Sequence, residues 1–432
     1  MKHSLLLCLL PFAAALAQAP AVPAIPAVPA AEEQPVNPEG FEESPVLKAS
    51  AILLPGWLSG PHHKVREDVA TYAGANWYVI DSDAGVFEAA GDVMLQNRVT
   101  EIYAILRLRE ISRGKEYGEA LKRAAKSPFV AAKNLITNPV DTISAVPRGV
   151  FKLVNRAGRA IENAATGREK SQYEDSEAAA LLGVSKAKRE LAFQYGVSPY
   201  SSNPVLQKEL NSLGWTSFAG KATVTVLTAG IGGGAEAVLN VTGVLGRNAV
   251  RIRDTSPNDL QRENKASLMK MGASDAAVEQ FFRNQALSPS HQTNLISAIE
   301  SLQGVAGRID YAMLAANTAE SETDAVFFEQ TAHLMARLHA ESAKLKSIEI
   351  RDGFPVCTGQ NGTVIVALHW DYAAWTQRAS GFLADLQQPA APDAPAAKLA
   401  VMITGQVSPL LRQQLESRKV QVYDRVIPGP LK

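Results

Sequence analysis

The sequence predicts an α+β protein, predominantly α-helical: a helical body with a small N-terminal β segment, a C-terminal β-hairpin and a short βαβ tail. Three observations predict it. First, a capping side chain followed by proline opens a helix, because the side chain accepts a free amide and proline has none to satisfy. Six such pairs read as helix starts, at Ser127-Pro128, Asn138-Pro139, Asn203-Pro204, Ser256-Pro257, Ser288-Pro289 and Ser408-Pro409. Second, β-branched and aromatic runs broken by turn residues lie near the two ends of the chain. Third, the long middle carries apolar residues three and four apart, the helical period.

The N-terminus predicts export. Lys2 precedes an apolar run from Leu5 to Leu16, and Ala15-Leu16-Ala17 is a small-x-small cleavage pattern, so residues 1–17 read as a signal peptide cut after Ala17. The run is interrupted by Pro11 and is shorter than the roughly 20 residues of a membrane anchor. Cys8 leaves with it, and Cys357 is then the single thiol of the mature chain, which reads as buried packing without a disulfide. The 432 residues include 43 basic and 43 acidic side chains, so there is no overall field to attract nucleic acid, and no nucleic-acid partner is expected. Residues 18–45 form an Ala/Pro-rich linker, expected to be extended and disordered.

Residues 46–91 read as a β-rich segment, a small meander or hairpin broken at Gly74 and at Ser82-Asp83-Ala84-Gly85. A loop, LPGWLSGPHH, carries His62 and His63, which as sequence neighbours aim apart and need help to share an ion. The helical body spans 92–346, beginning with helices at Asp92–Ser112 and Lys115–Lys126. The stretch from Pro147 to Gly167 is the most strongly amphipathic. Val150, Phe151, Leu153, Val154, Ala157 and Ile161 share one side, and Lys152, Arg156 and Arg159 face the other against a single acid, Glu162. Residues 98–170 hold 15 basic against 7 acidic residues. Such a helix suits a membrane interface, and its apolar side equally suits a protein core. Arg148, Lys152, Arg156 and Arg159 are therefore the candidate contacts with anionic lipid headgroups or an envelope protein.

Other motifs weigh less. Residues 177–195 imitate a helix-turn-helix, which export sets aside. Gly230, Gly232 and Ala235 fit a dinucleotide-binding pattern, with Asp254 as the ribose acid, but no repeating β-α order surrounds them. The same stretch, Ala219–Gly246, reads more simply as a close-packed helical hairpin, and Lys221, Glu236 and Arg247 exclude a membrane span in the mature chain. From Ser256 to Lys346 a string of helices is expected, with one long helix from His291 to Ala319. Ser321 and Asp324 form a capping box for the helix that carries Phe327, Phe328, Leu334, Met335, Leu338 and Leu345. Glu329 and His333 share a face of it, while His339 points elsewhere, so no two-histidine zinc motif forms. Residues 347–388 read as a β-hairpin plus helix, with a type I′ turn at Asn361-Gly362 and a helix Asp371–Leu386 capped by Asp371. A Pro/Ala linker at 389–397 precedes a βαβ tail at 398–432, with strands at Lys398–Thr404 and Val420–Val426.

No catalytic residue can be assigned, and neither metal nor cofactor is expected. Ser185/Lys188 and Ser267/Lys270 match Ser-x-x-Lys without the companion motifs, and no nucleophile elbow, P-loop or calcium loop occurs. The expectation is an exported envelope protein, periplasmic in a Gram-negative source and otherwise secreted, that binds or scaffolds without catalysis. The first alternative is an envelope hydrolase with a dispersed site, a Ser or Asp beside His62, His333 or His369. The second is a dinucleotide-binding protein.

Overall fold

The computed structural model describes residues 40–114, 184–219, 248–388 and 397–427, and over these the chain is mixed α+β. The chain divides into Met1–Pro35 and Val36–Lys432, and every described residue belongs to the second unit. The basic helix at Pro147–Gly167, the helix Lys115–Lys126, Gly230–Ala235 and the cap-proline pairs at Ser127 and Asn138 lie outside the described residues.

The N-terminal sheet is antiparallel. Its members are β1 (Val46–Lys48), β2 (Ser59–Gly60), β3 (His63–Val65), β4 (Asp68–Tyr72), β5 (Ala75–Ser82) and β6 (Gly85–Ala90). One edge of β5 takes β4 and then β3, and the other edge takes β6. A short helix, α1 (Ala49–Ile52), precedes the stretch expected as a loop, and that stretch itself holds a second, α2 (Pro55–Leu58), followed by β2. Pro55 at the first helical position explains α2, since its fixed φ suits a helix start. Helix α3 (Asp92–Arg113) crosses the sheet and packs Leu95, Val99 and Ile102 against Val69, Tyr78 and Ile80. Its second half packs Ile105 and Leu108 against α4 (Val184–Gln194) and α5 (Pro204–Ala219) through Leu191, Leu206 and Leu210.

A helical layer follows, made of α6 (Ala249–Asp254), α7 (Pro257–Lys270), α8 (Asp275–Arg283), α9 (Pro289–Glu300), α10 (Arg308–Thr318) and α11 (Glu322–Glu341). Ser256 and Ser288 accept the amides of Asp259 and His291, and Asn203 accepts those of Val205 and Leu206. Ser321 and Asp324 complete the capping box of α11. The single helix expected over His291–Ala319 is two. The chain turns at Gly304 and Gly307, both at positive φ, and Ala306 bridges to Ser347. A Cβ at Gly307 would stand 1.9 Å from the Ile348 carbonyl oxygen, so only glycine allows this approach.

The second sheet is mixed. Strands β7 (Leu345–Arg351), β8 (Phe354–Gly359) and β9 (Val364–Leu368) are antiparallel, and β10 (Leu399–Ile403) and β11 (Gln421–Tyr423) add in parallel beyond β9. Leu345, expected on the helix, starts β7. Side chains alternate between faces. Cys357, Ile365, Ala367 and Ala400 meet the helical layer, while Val356, Val366, Leu368, Leu399 and Ile403 face α12 (Gln377–Leu386) and α13 (Pro409–Ser417). Of Asn361-Gly362 only Gly362 has positive φ, so the turn is not type I′. The Gly362 amide closes on Gly359, and the Gly359 amide donates to Thr363, a three-residue loop. The two-residue turn is instead Asp352-Gly353, with φ of 47° and 79°. No described helix is long and apolar enough to cross a membrane.

Candidate functional site

The layer between the second sheet and helices α12 and α13 is not filled by its own side chains. A cavity of about 370 Å³ opens there. Val366, Leu368, Val401 and Ile403 supply its sheet side, and Leu383, Leu386, Leu411 and Leu415 its helix side. Tyr72, Phe354, Trp370, Tyr372, Trp375 and Phe382 add six aromatic rings. Protein cores are packed as tightly as organic crystals and leave few voids larger than a water, so a volume of this size in an apolar layer is a candidate binding volume.

The β4–β5 turn completes the wall. Ala73 and Gly74, at φ 51° and 86°, lie against Trp370, and a Cβ on Gly74 would stand 2.4 Å from the indole. The Gly74 carbonyl accepts the amide of Asp371 at 2.7 Å. A smaller cavity of about 80 Å³ adjoins, sharing Tyr72, Phe354, Trp370 and Arg378 with the larger one. Its remaining wall includes Phe327, Asp324, Asp352, His369 and Asp371. At the rim the Arg378 guanidinium donates to Asp352 at 3.2 Å and stands 5.4 Å over the Phe354 ring.

Asp371 was expected to cap a helix, but Thr376 caps α12 and Asp371 is buried where the two sheets meet. Its Oδ2 accepts the amides of Asn76 at 2.9 Å and Asp92 at 3.2 Å. Asp92 in turn accepts the Tyr78 hydroxyl at 2.6 Å and the Asn76 amide side chain at 3.2 Å. Burial raises Asp92 to about 6, and burial together with the neighbouring Asp92 charge holds Asp371 well above the usual carboxylate range. Two adjoining buried carboxyls cannot both ionise cheaply, so the pair retains a proton. Burial likewise raises Asp324 to about 6 and pulls His369 down to about 4, leaving the imidazole neutral at pH 7. The Nδ1 of His369 is enclosed without a hydrogen-bond partner.

A second polar group forms where α3, the 198–203 loop, α9 and α11 converge. Arg98 bridges Glu101 at 2.7 Å and Glu322 at 2.9 Å, and Ser202 donates to Glu322. His291 meets Glu329 at 2.8 Å and Glu322 at 3.9 Å. Burial alone would lower His291, but contact with Glu322 and Glu329 and their charge raise it to about 9. Burial would raise Glu322, and the Arg98 charge with His291 and Ser202 outweighs it, holding the acid far below its ordinary value. A cavity of about 260 Å³ beside it exposes Ser202, His291 and Glu322. Serine, histidine and acid are thus assembled, yet not as a nucleophilic triad. The serine bonds to the acid, and the histidine is already a cation that cannot take its proton. The group clamps four elements together.

The other candidates separate. Arg148, Lys152, Arg156 and Arg159 lie outside the described residues, as do Gly230, Gly232 and Ala235. Asp254 pairs with Arg253 at the end of α6. His62 binds Asp83 at 2.7 Å and His63 approaches the Tyr103 hydroxyl at 3.2 Å. Glu329 turns to His291 and Asn294 rather than sharing an ion with His333. Among the described residues no three His, Cys, Asp or Glu side chains form a metal-binding group. The aromatic cavity escaped sequence reasoning, although the ring-rich HWDYAAW stretch at 369–375 was a signal for it. The chain matches no family model, no curated protein and no solved structure.

Proposed function

We propose that this chain is an exported cell-envelope protein that acts by binding, without catalysis, and that its ligand has an apolar body. The aromatic and aliphatic cavity between the second sheet and α12 and α13 carries this reading. A ligand burying roughly 300 Å² of apolar surface there gains about 7 kcal/mol of transfer free energy at about 25 cal/mol per Å², set against the cost of immobilising it. The Ala15-Leu16-Ala17 pattern supports export, to the periplasm of a Gram-negative source and otherwise to the exterior. In the same reading, Arg148, Lys152, Arg156 and Arg159 set the protein against anionic headgroups or an envelope partner.

The test is a titration with N-phenyl-1-naphthylamine, an uncharged probe that brightens and shifts to the blue in apolar surroundings. Saturable binding of one probe per chain is expected. A linear, non-saturating signal overturns the reading.

A further inference from the structure

We propose that the ligand is a cationic amphiphile, with its apolar body in the larger cavity and an alkylated ammonium group in the smaller one. The inference rests on the reading that the larger cavity takes an apolar ligand. Tyr72, Phe327, Phe354 and Trp370 wall the smaller cavity together with three carboxyl groups, Asp324, Asp352 and Asp371. An aromatic face attracts a cation through its quadrupole, most strongly when water is excluded. The wall already does so once, with Arg378 over Phe354.

Charge balance selects the sign of the head. Arg378 is matched by Asp352, and Asp371 and Asp92 keep one proton between them and so carry one negative charge. His369, kept neutral by burial, adds no positive charge. Asp324 adds a second negative charge; it is buried beside the Glu320 carboxylate, and its described hydrogen bonds come from neutral donors alone: the amides of Glu320 and Ser321 and the Ser321 hydroxyl. A carboxylate in that setting gains from a cation in the adjoining cavity and repels an anion. An anionic amphiphile of equal length fits the same apolar volume but meets the wrong charge.

Octyltrimethylammonium, octanol and octanoate share one chain and differ in the head, so calorimetric titration of the full chain at pH 7.5 isolates the head. The ammonium compound is expected to bind about tenfold more tightly than octanoate, with octanol between them. Asp324→Asn is expected to reduce that preference to about twofold while octanol still binds, which reports that the cavity is intact. For a variant that does not fold, the wild-type comparison at pH 5 replaces it. There Asp324 and the Asp92–Asp371 pair are mostly protonated, and the ammonium affinity is expected to fall several-fold while octanol is unchanged. Equal affinities for the three heads, or octanoate binding best, overturns the head-group inference and leaves the apolar reading standing. If none of the three binds, the apolar reading itself falls.

Discussion

His291→Gln removes the imidazolium held between Glu322 and Glu329 and leaves a polar side chain beside Glu329. In the fold His291 titrates at about 9, against an ordinary value of 6.5. A base raised in this way stabilises the fold fully below pH 6.5 and loses that contribution as pH rises through about 9. The gap corresponds to about 3 kcal/mol, of the same order as the 3–5 kcal/mol, roughly, lost when one member of a buried ion pair is removed. Glu322 gains from the same contact, so this energy is counted once. His369 does not interfere. Held at about 4, it contributes stability above pH 6.5 that is lost as pH falls through about 4, outside this window. Urea unfolding followed by circular dichroism, at half-unit steps from pH 6.5 to 9.5, measures the difference between wild type and variant. It should be about 3 kcal/mol at pH 6.5 and shrink towards pH 9.5 as the wild-type histidine loses its proton. A difference that stays constant or grows with pH refutes the assignment of His291 as a buried cation.

Four further outcomes follow from the packing and the buried charges. Gly307→Ala places a Cβ against the Ile348 carbonyl at a φ of 81° and should cost at least about 2 kcal/mol, read from the urea midpoint. Asp371→Ala strands the buried amides of Asn76 and Asp92 and should cost about 2–4 kcal/mol, whereas Asp371→Asn keeps an acceptor for them. Because Asp92 and Asp371 are both raised, their stabilisation is present below the ordinary carboxylate value and lost as pH rises through about 6 for Asp92. Asp371→Asn should flatten that decline. Cys357 is buried and pushed up to about 12, so iodoacetamide at pH 8 should label it only in urea.

What the sequence revealed was local chemistry. The caps at Asn203, Ser256 and Ser288 and the Ser321–Asp324 box bond within three residues, so short windows contain both partners. Asp371 was misread for the opposite reason. Its carboxyl meets amides 295 and 279 residues away, and no local pattern encodes that. The break at Gly304 and Gly307 was hidden by apolar residues that keep a helical spacing on both sides. Its cause is the approach of Ile348, on another element. Asp352-Gly353 and Asn361-Gly362 both fit the two-residue turn rule, and only strand register tells them apart. The cavity was least legible. Beyond the 369–375 stretch its rings come from Tyr72, Phe354 and Phe382 on separate segments, and a void is a property of packing rather than of any residue.

Filling the cavity tests the binding account most directly. Ala379 on α12 lines the larger volume, and Ala379→Trp would occupy part of it. Titration of N-phenyl-1-naphthylamine into wild type and variant, alongside their thermal unfolding, gives the comparison. The account predicts that the variant folds with an unfolding temperature close to wild type and loses the saturable probe signal. Undiminished probe binding by a folded Ala379→Trp protein would contradict it.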